Sequence, residues 1–287
     1  MTTGTDTTKV YLKYTSNLIL SEYESFAIDT AKGAGKVLMN YFGKLPNHSS
    51  KSSYRDLVTK ADLESEDYII KMIQSTYLNH DVIAEESSTL LNESNDFRWI
   101  VDPLDGTTNF VHNLPIFAVS IGLQYKKETV VGVVYNPVYD QCFYAAKGKG
   151  AFLNNKPIKV SSCKSLSESL LVTGFPYICD ERWTASFRLF EELYGTCQGI
   201  RRLGAAALDF CFVAMGRFEG FYEYSLQPWD ICAGDLILRE AGGKTSDWNL
   251  APLPYTADRV LATNGYIHDE ILSFLDKEKY SVFYPTT

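Results

Sequence analysis

Apolar residues recur every three or four positions after Ser21: Phe26, Ala27, Ala31, Ala34, Val37, Leu38, Tyr41 and Phe42. That spacing predicts an amphipathic helix. Ser21 followed by Glu24 reads as a capping box at its start, with Gly43 and Pro46 as the stop. Residues 47–55 are a polar loop. A second helix is expected after Ala61–Asp62, with Tyr68, Ile69, Met72, Ile73 and Tyr77 on its apolar side. Short strands follow in VIAEES and RWIVDPLDGTTNF. From Phe117 to about Val160 the pattern is strand after strand, FAVSIGLQY, TVVGVVYNP, QCFYAAKG and AFLN, with turn residues between them.

The second half alternates. LLVTGF, IRRL, FEGFYEYS and RVLATN read as strands. RWTASFRLFEELYG, GAAALDFCFVAMG, PWDICAGDLILREAGG and a last segment around 267–275 read as helices. Strands interleaved with helices, plus a strand-rich middle, predict a mixed α/β (α+β) fold with sheets layered between helices. Residues 1–20, rich in threonine, read as a frayed and disordered tail, and 21–287 as a single unit. No repeat, linker or composition shift divides it.

A length of 287 residues suits one large domain or two modest ones, and 45% hydrophobic with 22% charged residues is ordinary for a globular chain. The net charge of −8 argues against a general nucleic-acid binder, which needs a basic surface to neutralise phosphates. A small phosphorylated substrate stays open if metal ions bring positive charge. The six cysteines form no C-x-x-C pair and read as free thiols, which favours a reducing, cytoplasmic setting, although residues 1–20 leave an organellar address open. No apolar stretch approaches the ~20 residues of a membrane span, so no membrane partner is expected.

The candidate chemistry lies in carboxylates. In WIVDPLDGTTNF an apolar strand delivers Asp102 and, across Pro103-Leu104, Asp105. Residues three apart on one strand face opposite ways, whereas a turn converges them. Two carboxylates and an exposed carbonyl are hard oxygen ligands suited to Mg²⁺. Gly106-Thr107-Thr108 then opens a helical turn whose free N–H groups suit a phosphate oxygen. Read in isolation, the same run is equally an Asx-turn ending a strand. Glu85, closing VIAEES, is a metal-ligand candidate or a solvated strand end. Asp230 and Asp62 are candidates too, or acids that complement a helix N-terminus.

Together these segments resemble the inositol monophosphatase family. The resemblance rests on WIVDPLDGTTNFVHNLPIFAVSIGL (99–123) and WDICAGDLILREAGG (229–243), with DLVTKAD, AEES, GKGAF and GAAALD in order between and around them. It covers roughly residues 21 to 275. It implies an αβαβα sandwich, a homodimer and a lithium-sensitive phosphatase using two to three Mg²⁺ ions, with inositol 1-phosphate as first substrate. Relatives on this scaffold serve histidinol phosphate, fructose 1,6-bisphosphate or phosphorylated nucleosides, and some bacterial relatives also act as regulatory binding proteins.

The same resemblance implies Glu85, Asp102, the Leu104 carbonyl, Asp105 and Asp230 as metal ligands, with Lys51 near a third ion. It implies Asp62, Thr107 and Glu85 as the catalytic groups, Thr107 with Asp62 orienting the metal-activated water. Asp105, Gly106, Thr107, Gly204, Ala205, Ala206 and Glu223 would contact the substrate. Ala205 and Gln227 replace a threonine and a histidine of animal members on the alcohol side of the pocket. His112 reads as a loop residue, not as the base.

Overall fold

The helical period before residue 21 is uninterrupted by glycine or proline from Thr7 onward, and the chain uses it. In the computed structural model, which describes residues 7–44, 49–50, 57–87, 95–254, 256–275 and 278–284, helix α1 spans Thr7–Tyr41. The start expected at Ser21 therefore falls inside the helix, which takes in residues 7–20. Helix α2 (Lys60–Thr76) begins where expected. Thr59 caps it, its hydroxyl accepting from Ala61 N at 3.0 Å.

A ribbon of β1 (Ser49–Ser50) and β2 (Leu57–Val58) precedes α2. The strand-rich middle forms a seven-stranded sheet in chain order: β3 (Asp81–Ala84), β4 (Phe97–Asp105), β5 (Ala118–Tyr125), β6 (Glu128–Asn136), β7 (Gln141–Ala146), β8 (Ala151–Leu153) and β9 (Lys156–Ile158). Only β3 and β4 pair in parallel. Lys126 and Lys127, both at positive φ (51° and 69°), make the tight β5–β6 turn. Helix α3 (Thr107–Val111) follows β4 directly.

The alternating half forms a five-stranded sheet in the order β11 (Gly199–Arg201), β10 (Leu170–Thr173), β12 (Gly220–Tyr224), β14 (Arg259–Thr263), β13 (Lys244–Ser246). Helices α4 (Glu181–Tyr194) and α5 (Ala206–Ala214) link the parallel strands β10, β11 and β12, and α6 (Pro228–Glu240) leads to β13. Strands β9 and β13 were not expected: at three residues each they show no period. The last helix, α7, is confined to His268–Leu272.

The layers follow from which faces are apolar. Helices α1 and α2 cover the outer face of the large sheet, α5 and α6 fill the space between the sheets, and α4 and α7 back the small sheet. The αβαβα order expected from the resemblance holds. Strand β6 is buried at every position but its first, as a strand covered on both faces must be. Gly122 and Gly132 face each other across β5 and β6. A Cβ would lie 2.5 Å from Cys232 Sγ at the first and 2.7 Å from the Ala233 carbonyl at the second. The two glycines let α6 settle onto the sheet backbone. The β7–β8 turn, read from GKGAF, clasps the far end of α6: the N–H groups of Gly148 and Gly150 donate to the Glu240 carboxylate at 2.7 and 2.8 Å. All six cysteines are free thiols. Among the described residues no helix is long and apolar enough to cross a membrane.

His268 pins α7 to the small sheet, its ring nitrogens 2.9 Å from Ser246 Oγ and 2.9 Å from Thr263 Oγ1. Burial pushes its pKa down to about 4, against about 6.5 in an unfolded chain. Between those values the unfolded chain takes a proton that the folded one declines, so stability falls as pH drops from about 6.5 to 4. The expected loss is about 2–3 kcal/mol. Thermal unfolding of His268→Gln across that window should show a flatter pH dependence than the parent. Equal slopes would reject the account.

Candidate active site

Asp102 and Asp105 meet through a β-bulge where a turn was expected. Strand β4 continues to Asp105, but its pairing with β5 slips: Asp102 opposes Ser120, and Asp105 opposes Ala118. Three steps on β4 match two on β5, so one residue is extra. An inserted residue reverses the facing of everything after it, which turns a spacing of three into a shared side. Pro103 has no N–H to lose from the ladder. The bulge's free donor, Leu104 N, is taken by Asp102 Oδ1 at 2.9 Å, and the Pro103 carbonyl accepts from Ser65 Oγ at 2.9 Å.

Two further elements bring partners. Asp230 sits in the first turn of α6 and accepts from Gln227 N at 2.7 Å. Asp105 accepts from the first two N–H groups of α5, Ala206 at 3.1 Å and Ala207 at 2.8 Å. Carboxylate oxygens of Asp102, Asp105 and Asp230 lie within 4.8 Å of one another. Beside them Thr107 Oγ1 donates to Asp62 Oδ1 (3.1 Å) and the Leu104 carbonyl (3.2 Å). Asp62 is fully buried, its other oxygen accepting from Thr59 N at 2.9 Å and Thr59 Oγ1 at 2.6 Å.

These groups open into a cavity of about 370 Å³ where the two sheets and α5 and α6 converge. Glu85, Leu104, Gly106, Thr107, Gly204, Ala205, Ala206 and Glu223 line it together with the three aspartates. Glu85 stands on its wall but outside the group of three. Asp62 is reached through Thr107. Gly174 makes room for Glu223, since a Cβ there would lie 2.0 Å from Glu223 Oε1. Lys51 lies outside the described residues. His112 is not among the lining residues.

The electrostatics match a cluster of like charges in a dry place. Burial, then the nearby Glu85, pushes Asp102 well above the usual carboxylate range, and burial, then Asp105, does the same to Asp230. Burial raises Asp105 to about 7 against the opposing N–H bonds of α5. It raises Asp62 to about 6 against those of Thr59. Glu223 rises to about 8, also by burial. Carboxylates this close need protons or a cation between them. Hard oxygen donors on converging backbones fit a divalent ion such as Mg²⁺, so the donor set can hold a metal.

Several residues in or behind the cavity wall escaped the sequence reading. Thr59 could have been found, since T-K-A-D is a capping box before an apolar run. Phe175, Tyr177 and Ile178, from the loop after β10, and Arg202, after β11, carry no local pattern that separates them from ordinary loop residues.

The chain is similar to known proteins in sequence and in fold. A family model described as "Inositol monophosphatase family" matches residues 19–280. The chain is 43% identical over 252 residues to an inositol-1-monophosphatase of Synechocystis sp., covering 88% of each protein. It is 40% identical over 250 residues to the Nus factor SuhB of Pasteurella multocida, covering 87% of this chain and 94% of that one. The solved structure of an inositol monophosphatase from Anabaena superposes with a TM-score of 0.79 at 42% identity, over 89% of this chain and 96% of that one.

The crowded carboxylates cost stability when no cation offsets them. For Asp62 and Asp105 the folded values, about 6 and about 7, exceed the unfolded ones, so stability present at pH 4 is lost as pH rises through 7. Asp102→Asn keeps an acceptor for Leu104 N and removes a charge. At pH 7.5, in chelator, it should raise Tm by about 2–5 °C, roughly 1–2 kcal/mol. Differential scanning fluorimetry would read the shift, and a lowered Tm would count against the electrostatic account.

Proposed function

The chain belongs to the inositol monophosphatase family, and on that premise we propose that it hydrolyses a phosphate monoester with Mg²⁺, inositol 1-phosphate first. The observation that carries this reading is the grouping of Asp102, Asp105 and Asp230 beside the Thr107–Asp62 pair. Glu85, Asp102, the Leu104 carbonyl, Asp105 and Asp230 would hold two to three ions. Bound Mg²⁺ would polarise phosphate oxygens, offset developing charge and acidify water.

The chain's own groups supply the proton path and the orientation. Thr107 spends its hydrogen on Asp62 and Leu104, which leaves its lone pairs to accept from an attacking water. As the water oxygen bonds to phosphorus, its proton passes to Thr107 Oγ1 and the Thr107 proton to Asp62. Asp62, at about 6, is poised near neutrality for that work. The P–O bond to the alcohol breaks in the same displacement, giving the free alcohol and inorganic phosphate. The backbone N–H groups of Gly106 and Thr107 would receive phosphate oxygens. Asp105, the Gly204–Ala206 backbone and Glu223 would receive the alcohol's hydroxyls. Glu223, at about 8, carries a proton at neutral pH and can donate as well as accept.

Pairing with a second copy is part of the same proposal. It is supported by exposed apolar side chains on and beside α4: Tyr177, Ile178, Phe187 and Tyr194. The free thiols favour a cytoplasmic setting. The name Nus factor SuhB, carried by the Pasteurella relative, supports a second reading, a role besides catalysis. An inactive variant that rescued a deletion phenotype would favour it.

Phosphate release from inositol 1-phosphate should require Mg²⁺ and fall about 10³-fold or more in Asp105→Asn. Full activity after chelation would sink the mechanism. The rate should also rise as pH passes upward through about 6, because Asp62 must be ionised to accept the proton. That limb should vanish in Asp62→Asn, with kcat/KM down about 10²–10⁴-fold.

A further inference from the structure

Five carboxylates line the cavity, and against them Arg202 is the one cationic side chain among the described lining residues. It follows β11 beside Gly204, just ahead of the α5 N-terminus that holds Asp105, and shares the cavity wall with Glu223. The guanidinium folds over Gly204: a Cβ there would lie 2.2 Å from Arg202 Nη1. Gly204 has φ 86°, and its segment is pinned to α3 by Asn109, whose Nδ2 donates to the Leu203 carbonyl at 2.8 Å. The cation is thus brought in by backbone shape. No described carboxylate closes a salt bridge or hydrogen bond with it. It is near enough to Glu223 and Tyr177 for its charge to favour their ionised forms.

An unpaired guanidinium presents a planar fork of donors that matches an oxyanion in two-point fashion. Glu223 and Asp209 lie within reach of its charge, but a neutral polyol would offer the fork itself no oxyanion to grip. Resting on the phosphatase reading of this cavity, we infer that Arg202 is a specificity-determining residue that receives a second phosphate on the alcohol portion of the substrate. The reaction is unchanged: the ester at the aspartate cluster is cleaved, and the second phosphate is held and released intact with the alcohol.

The test compares the Mg²⁺-loaded enzyme on fructose 1,6-bisphosphate and on inositol 1-phosphate, for wild type, Arg202→Ala and Arg202→Lys. The ratio of kcat/KM, bisphosphate over monophosphate, should fall about tenfold or more in Arg202→Ala, mainly through KM, as expected for a charge-assisted phosphate contact. Arg202→Lys, with charge but no fork, should fall between. A ratio unchanged within twofold overturns the inference, as does a wild type active only on the monophosphate. Parallel loss on both esters with a change of molecular mass makes Arg202 an interface residue and also overturns it. A wild type inactive on every ester with Mg²⁺ present removes the phosphatase reading, and this inference with it.

Discussion

Asp102, Asp105 and Asp230 repel one another, and most of the structure around them exists to hold them together. Each carboxylate is tethered by backbone N–H groups from its own turn or from another element: Leu104 for Asp102, Ala206 and Ala207 for Asp105, Gln227 for Asp230. Those donors stabilise the charged forms, yet burial still wins, and all three stay above the usual carboxylate range. A fold that minimised its own energy would not assemble such a group. The residual unfavourable potential is what gives the site its attraction for a cation.

The tethers work because the layers meet at one place. The bulge turns the end of β4 toward the gap between the sheets. Gly122 and Gly132 draw α6 down until its first turn reaches that end, and Ser120 Oγ fixes it by donating to the Trp229 carbonyl at 3.2 Å. From the other side, Asn109 anchors the segment before α5. Four parts of the chain, far apart in sequence, are held by short-range contacts around one opening.

Much of this was legible because periods of two and of three or four show through wherever an element has one buried face. Helices α2 and α4 are of that kind, whereas β5, β6 and β7, covered on both faces, show as near-continuous apolar runs between turn residues. The three-residue strands β9 and β13 have too few positions to show a period, and the beginning of α1 lacks a stop signal that would have forced a choice. The aspartate spacing announced convergence but not its means, since a proline turn and a proline bulge share one composition. Arg202 and Tyr177 were silent for a different reason: their neighbours exist only after the second sheet docks. The resemblance supplied the list of site residues, whereas the geometry supplied the tethers, the Thr59–Asp62 contact and the cation opposite Glu223.

Asp105 caps α5 across 101 residues of chain. The same carboxylate that faces the cavity is therefore a latch between the large sheet and the small one. A chain whose halves had not docked would lack these contacts, leaving α5 without its cap and Asp105 without two of its donors. Under the proposed function, assembly and chemical competence would hang on one residue. A two-fragment version of this protein, cut between the sheets, would report its own reassociation through activity alone.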